Sequence, residues 1–155
     1  MQLQDILRRK GSEVVTVRPD ETVLAAVRRM NEHRIGATVV VDGEGGVLGI
    51  ITERDVLHMC GERCAVGGES TSAGDPWSTP VADLMTREVI IALPGDTVDY
   101  AMGIMTNNRI RHLPVLEDGR LAGLVSIGDV VREHLNEAQY ENRLLRSYIQ
   151  GTAHI

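Results

Sequence analysis

The chain contains one unit twice. The stretch from Arg34 to Asp55, RIGATVVVDGEGGVLGIITERD, recurs from Arg109 to Asp129 as RIRHLPVLEDGRLAGLVSIGD. Upstream, Pro19-Asp20-Glu21-Thr22-Val23 matches Pro94-Gly95-Asp96-Thr97-Val98, and Met30 matches Met105. Thr22 returns at Thr97 and Asp55 at Asp129, so the second copy is shorter by one residue, in its turn. A unit of roughly 50 residues has only a marginal core by itself, so the two copies are expected to pack on each other with pseudo-twofold symmetry. Symmetric surfaces of this kind commonly dimerise again.

Each copy reads as strand, helix, hairpin, helix, an α/β (α+β) class. Val14–Val17 is a short strand that stops at Pro19. Asp20-Glu21-Thr22 starts a helix in which Val23, Ala26, Val27 and Met30 recur at helical spacing, with Arg28, Arg29 and Glu32 facing out. Thr38–Val41 and Val47–Ile51 form a hairpin across Gly43-Glu44-Gly45-Gly46, and a second helix runs from Glu53 to about Met59. The second copy repeats this with strand Val89–Ala92 and helix Thr97–Asn107. Its hairpin joins Leu113–Leu116 to Leu121–Val125 through Asp118-Gly119, and a helix follows with Asp129 at its N-cap. The expected division is 1–60, the first repeat with a lead-in helix on Leu3, Ile6 and Leu7; 61–80, a Gly-, Ser- and Pro-containing linker; 81–134, the second repeat; and 135–155, a C-terminal helix and tail. Val131, Leu135, Ala138, Leu145 and Ile149 form one stripe on that last helix, suited to covering the partner repeat or another chain.

Bulk properties narrow the function. Apolar and charged contents of 43% and 25% in 155 residues are those of a soluble globular protein. With no Phe and one Trp, the core rests on aliphatic residues and Met. A net charge of −6 argues against a general affinity for nucleic acid or anionic membrane. No apolar run is long enough to span a bilayer and MQLQDILRRK lacks a secretory apolar region, so a cytoplasmic location is expected. Cys60 and Cys64, with His58 nearby, fall short of a closed zinc set and read as ordinary thiols of a reducing compartment. No metal is expected. Trp77 is either a hydrophobic anchor or an exposed contact.

The chemistry gathers at the ends of the hairpins. Ser126 and Asp129 lie at a strand end and a helix start, where backbone N–H groups are unpaired. A helix N-terminus attracts anions, and a nearby carboxylate accepts from a pair of sugar hydroxyls. That is half of a nucleotide site, and Thr52 and Asp55 hold the same places in the first copy. Arg109, Arg111 and His112 form a basic cluster suited to an anion. Nothing points to an enzyme: there is no Gly-rich phosphate loop with Lys, and Ser126 lacks a base with its orienting partner.

The closing sequences Gly49-Ile50-Ile51-Thr52-Glu53-Arg54-Asp55 and Gly123-Leu124-Val125-Ser126-Ile127-Gly128-Asp129, with Arg111-His112-Leu113-Pro114-Val115 before the second, resemble the cystathionine β-synthase (CBS) domain pair, or Bateman module. The resemblance runs from about Asp5 to Val131 and is nearest to small bacterial CBS-pair proteins with no attached enzyme or transporter. It implies a non-enzymatic regulatory module that binds an adenosine ligand: AMP, ADP, ATP, NAD(H) or, in some members, S-adenosylmethionine. It also implies two clefts, each built from both repeats. One would use Ser126 and Asp129 with Val15, Thr16, Ile35, Gly36 and Ala37. The other would use Thr52, Arg54 and Asp55 with Val89, Ile90, Ile110, Arg111 and His112, and Arg109 beside them. In this picture Asp129 accepts from the ribose hydroxyls, Ser126 and the helix start meet phosphate, aliphatic strand residues sandwich adenine, and Arg111 and His112, between the clefts, meet phosphates. The clefts are not equivalent, because Gly36-Ala37-Thr38 stands where the other repeat has Arg111-His112-Leu113. Small residues at 36 and 37 suggest room for a dinucleotide. A homodimer and an unidentified regulated protein are the expected partners. The contrasting expectation is a constitutive scaffold with empty clefts, acting through its C-terminal helix; a redox regulator using Cys60 and Cys64 is a third.

Overall fold

The computed structural model describes residues 1–63 and 74–151. Cys64, much of the connection between the repeats and the last four residues of the tail lie outside the described residues. In order, the elements are α1 (Leu3–Lys10), β1 (Thr16–Val17), α2 (Val23–His33), β2 (Ala37–Val41), β3 (Val47–Thr52) and α3 (Glu53–Arg63). After a 3₁₀ turn at Pro76–Ser78 come α4 (Val81–Leu84), α5 (Val98–Asn108), β4 (His112–Glu117), β5 (Arg120–Ser126) and α6 (Ile127–Ile149).

The repeat is visible in local chemistry. Thr22 and Thr97 are the N-caps of α2 and α5, each hydroxyl accepting the N–H three residues on. Both helices end on an arginine in the left-handed region, Arg34 at φ 54° and Arg109 at φ 53°. β2 pairs antiparallel with β3, and β4 with β5. Asp118 and Gly119 both take positive φ, 51° and 78°, the geometry that closes a two-residue hairpin without splaying its strands. The strand expected at Val89–Ala92 reduces to one parallel bridge, Ala92 to Val115, where the first copy pairs Thr16 and Val17 with Val39 and Val40. A single paired position does not sustain a ladder. Asp129 is not the N-cap of α6: Ser126 is, and Asp129 completes a capping box by accepting from the Ser126 N–H at 2.9 Å. Thr52 and Asp55 do the same for α3.

The two lead-in segments are exchanged between the repeats. Leu3, Ile6 and Leu7 of α1 enter the core of the second repeat, with Val98, Ala101, Met105, Leu113 and Val125. Val81 and Met85, around α4, enter the core of the first, with Val17, Val23, Ala26, Met30 and Ile51. The backbone follows: Leu3 N donates to Asp96 O at 2.9 Å, and Val81 N to Glu21 O at 2.8 Å. The motif glycines make the exchange possible. A Cβ on Gly49 would stand 2.7 Å from Thr86 O, and one on Gly123 would stand 2.8 Å from Leu7 Cδ1. Each core is therefore completed by the other repeat's leader, which answers the marginal size of one unit. Trp77 packs against the first core, as does Cys60, so the tryptophan is an anchor.

Candidate functional site

A cavity of about 420 Å³ opens between the repeats, within the range of small-molecule sites. From the first repeat it is lined by Gly36, Thr52, Arg54 and Asp55, at the start of α3 and the foot of the hairpin. From the second repeat come Val89, Ile90, Arg109, Ile110, Arg111 and His112. Nine of these ten residues were expected together from the sequence; Gly36 was expected in the other cleft, with Ser126 and Asp129, and instead lies here, against Glu53 and His112. Arg54 Nη1 spans the repeats, donating to Arg109 O at 3.0 Å.

Asp55 is the pivot of this cleft. Its Oδ2 accepts from Thr52 N at 2.9 Å and its Oδ1 from the Thr86 hydroxyl at 3.2 Å. Thr86 and two lining carboxylates, Glu53 and Glu88, were not singled out in the sequence. Capping-box logic could have flagged the neighbourhood of Glu53, but Thr86 and Glu88 sit in an irregular stretch with no periodic signal. The cleft thus sets three guanidiniums, Arg54, Arg109 and Arg111, against three carboxylates, Glu53, Asp55 and Glu88. His112 adds no lasting charge. Its burial pushes the imidazole below its ordinary pKa, with Glu53 and Asp129 opposing and Lys10 and Arg111 assisting. At neutral pH it is a neutral hydrogen-bonding group, so the anion-attracting charge rests on the arginines.

The other six residues are placed differently. Ala37 is fully buried, Ile35 packs on the first core, and Thr16 O accepts from Arg29 Nη1 at 3.0 Å, with Val15 half-buried just before β1. Ser126 and Asp129 stand at the start of α6, where Lys10 Nζ donates to Asp129 Oδ2 at 2.7 Å and to Leu124 O at 2.8 Å. Burial works to raise the Asp129 carboxyl, but the bonds from Lys10 and Ser126 outweigh it and hold the group below the usual carboxylate range. Part of the room expected above Gly36 is taken by side chains: a Cβ there would meet Glu53 Cδ and His112 Cε1, both at 3.2 Å.

The fold and cleft define a tandem-repeat module whose two halves share a ligand-sized cavity, and the chain belongs to the CBS domain family. The family model, described as CBS domain, matches residues 3–62 and 81–136. The chain is 43% identical over 157 residues to the CBS domain-containing protein CBSX3, mitochondrial, of Arabidopsis thaliana, covering 96% of this chain and 72% of that protein. The solved CBS-domain containing protein ATU1752 from Agrobacterium tumefaciens is 41% identical, with a TM-score of 0.77, covering 86% of this chain and 99% of that one. CBSX2, solved in complex with AMP, shares the fold at 21% identity and a TM-score of 0.69, over 88% of this chain and 98% of its own. Among the described residues no helix is long and apolar enough to cross a membrane.

Proposed function

We propose that the chain is a non-enzymatic regulatory module that binds an adenosine ligand in the cleft centred on Asp55. The observation that carries this reading is the convergence of Asp55, Arg54, Arg109 and Arg111, from both repeats, on one cavity of about 420 Å³. A carboxylate fixed at a helix start suits ribose, Val89, Ile90 and Ile110 supply apolar walls for adenine, and the guanidiniums suit phosphate. The three lining carboxylates favour a lightly charged ligand, AMP or NAD(H), over ADP or ATP. The AMP held by the CBSX2 structure points the same way. Binding across two repeats biases their relative placement by the ligand's differential affinity for the two arrangements. The location proposed is cytoplasmic, although the Arabidopsis relative is named mitochondrial. Thermal unfolding with AMP, ADP, ATP, NAD⁺, NADH and S-adenosylmethionine tests the function. A ligand at a hundred times its dissociation constant adds about 2.7 kcal/mol, read as a raised midpoint. No shift with any of the six returns the chain to a constitutive scaffold.

We also infer a homodimer through α6. Leu135, Leu145 and Ile149 are 54%, 63% and 81% exposed on one stripe. With Ala138 and Asn142 they keep a heptad spacing, and a lone Asn in such a seam fixes register. Glu141 and Arg146 flank it with opposite charge, as two parallel copies require. Sedimentation equilibrium is expected to return the mass of two chains, falling to one in Leu145→Arg; a one-chain mass for the wild type excludes this interface.

A further inference from the structure

Lys10 is the only lysine in the chain; every other basic side chain apart from histidine is arginine. It ends α1, the leader that crosses to the second repeat, and its aim is fixed on both sides. Leu7 is buried against Gly123, and Arg9 Nη1 holds both oxygens of the buried Glu133 at 3.0 Å. Lys10 Nζ then reaches Asp129 Oδ2 and Leu124 O, 119 and 114 residues away in sequence. Asp129 is the counterpart of Asp55, the pivot of the open cleft.

The two leaders treat these aspartates differently. Leu3 and Val81 hold equivalent places by their backbone bonds, and counting on from each brings Lys10 into register with Glu88. A carboxylate there cannot pair with Asp55, whose Oδ1 takes only the neutral Thr86 hydroxyl. A hydroxyl is readily exchanged for a ribose hydroxyl of the same chemistry. An ammonium adds a full positive charge to the bond, so exchanging Lys10 for a ribose hydroxyl also breaks an ion pair.

Building on the nucleotide reading of the Asp55 cleft, we propose that Lys10 occupies the place at Asp129 where the second repeat would otherwise offer the same carboxylate to a ribose. Its ammonium takes the carboxylate that a ribose needs. The module therefore binds one adenosine ligand per chain, and the second site opens only when Lys10 withdraws. The weakening follows from population: a site competent for about one part in ten of the time shows about a tenfold weaker apparent affinity.

Calorimetric titration of the full chain with AMP tests this, using Lys10→Met to keep the stem's packing. One event per chain is expected for the wild type and two for Lys10→Met, the second lost again in Lys10→Met with Asp129→Asn. Two events in the wild type, one in Lys10→Met, or weaker binding in Lys10→Met (Lys10 then being a ligand contact) would overturn the proposal while leaving the nucleotide reading intact. No heat from either protein would instead remove the nucleotide reading and, with it, the competition. The contact itself is read without ligand by thermal unfolding of Lys10→Met, Asp129→Asn and their double variant. Non-additive losses are expected, and additive ones overturn the contact.

Discussion

Replacing Gly49 by alanine is expected to destabilise the protein by about 1–3 kcal/mol, the usual cost of overpacking a closed contact. The added Cβ would stand 2.7 Å from Thr86 O and 2.8 Å from Met85 Sδ. The carbonyl is the costly neighbour, because it is backbone and already accepts from Ile50 N in a pair closed by Thr86 N on Ile50 O. Moving it pulls Met85 from the first core and Thr86 from Asp55. The same substitution at Gly123 meets the flexible end of Leu7 and should cost less. Urea unfolding of both variants checks the order. Equal, negligible losses would mean that the leaders do not pack as described.

Replacing Asp55 by alanine is expected to weaken nucleotide binding by on the order of a hundredfold, since hydrogen bonds to a charged group contribute about 1.5–3 kcal/mol each. The fold should survive. The capping box at Thr52 loses its returning carboxylate, a cost of about 1 kcal/mol by analogy with cap deletions, while the Thr52 hydroxyl still accepts from residue 55's N–H. A variant that unfolds at nearly the wild-type midpoint yet binds AMP with wild-type affinity would take ribose away from this aspartate.

The repeat and the hairpins were legible because they rest on local signals: a recurring closing motif, Asp118-Gly119, and apolar spacing. The grouping of Asp55 with residues of the second repeat came only from the CBS resemblance. The exchange of leaders was not legible. The face of Leu3, Ile6 and Leu7 reads identically whichever core it enters, and nothing local says that α1 crosses to the second repeat. Lys10 shares that fate, since its partner lies at the far end of the chain. Asp129 was misplaced by one turn position because an aspartate ahead of an apolar run fits an N-cap as well as the third residue of a capping box; Ser126, three residues earlier, carries the distinction. The small size of residue 36 was visible, but not that Glu53 and His112 stand against it.

The most direct test of ligand binding at Asp55 is a map of backbone amide shifts during titration of the wild-type chain with AMP. Saturable changes are expected at Thr52–Asp55, Thr86–Ile90 and Arg109–His112, with Ser126 and Asp129 little moved, and the whole pattern should be lost in Asp55→Ala. An unchanged spectrum, or changes confined to α6, would contradict a ligand site between the repeats.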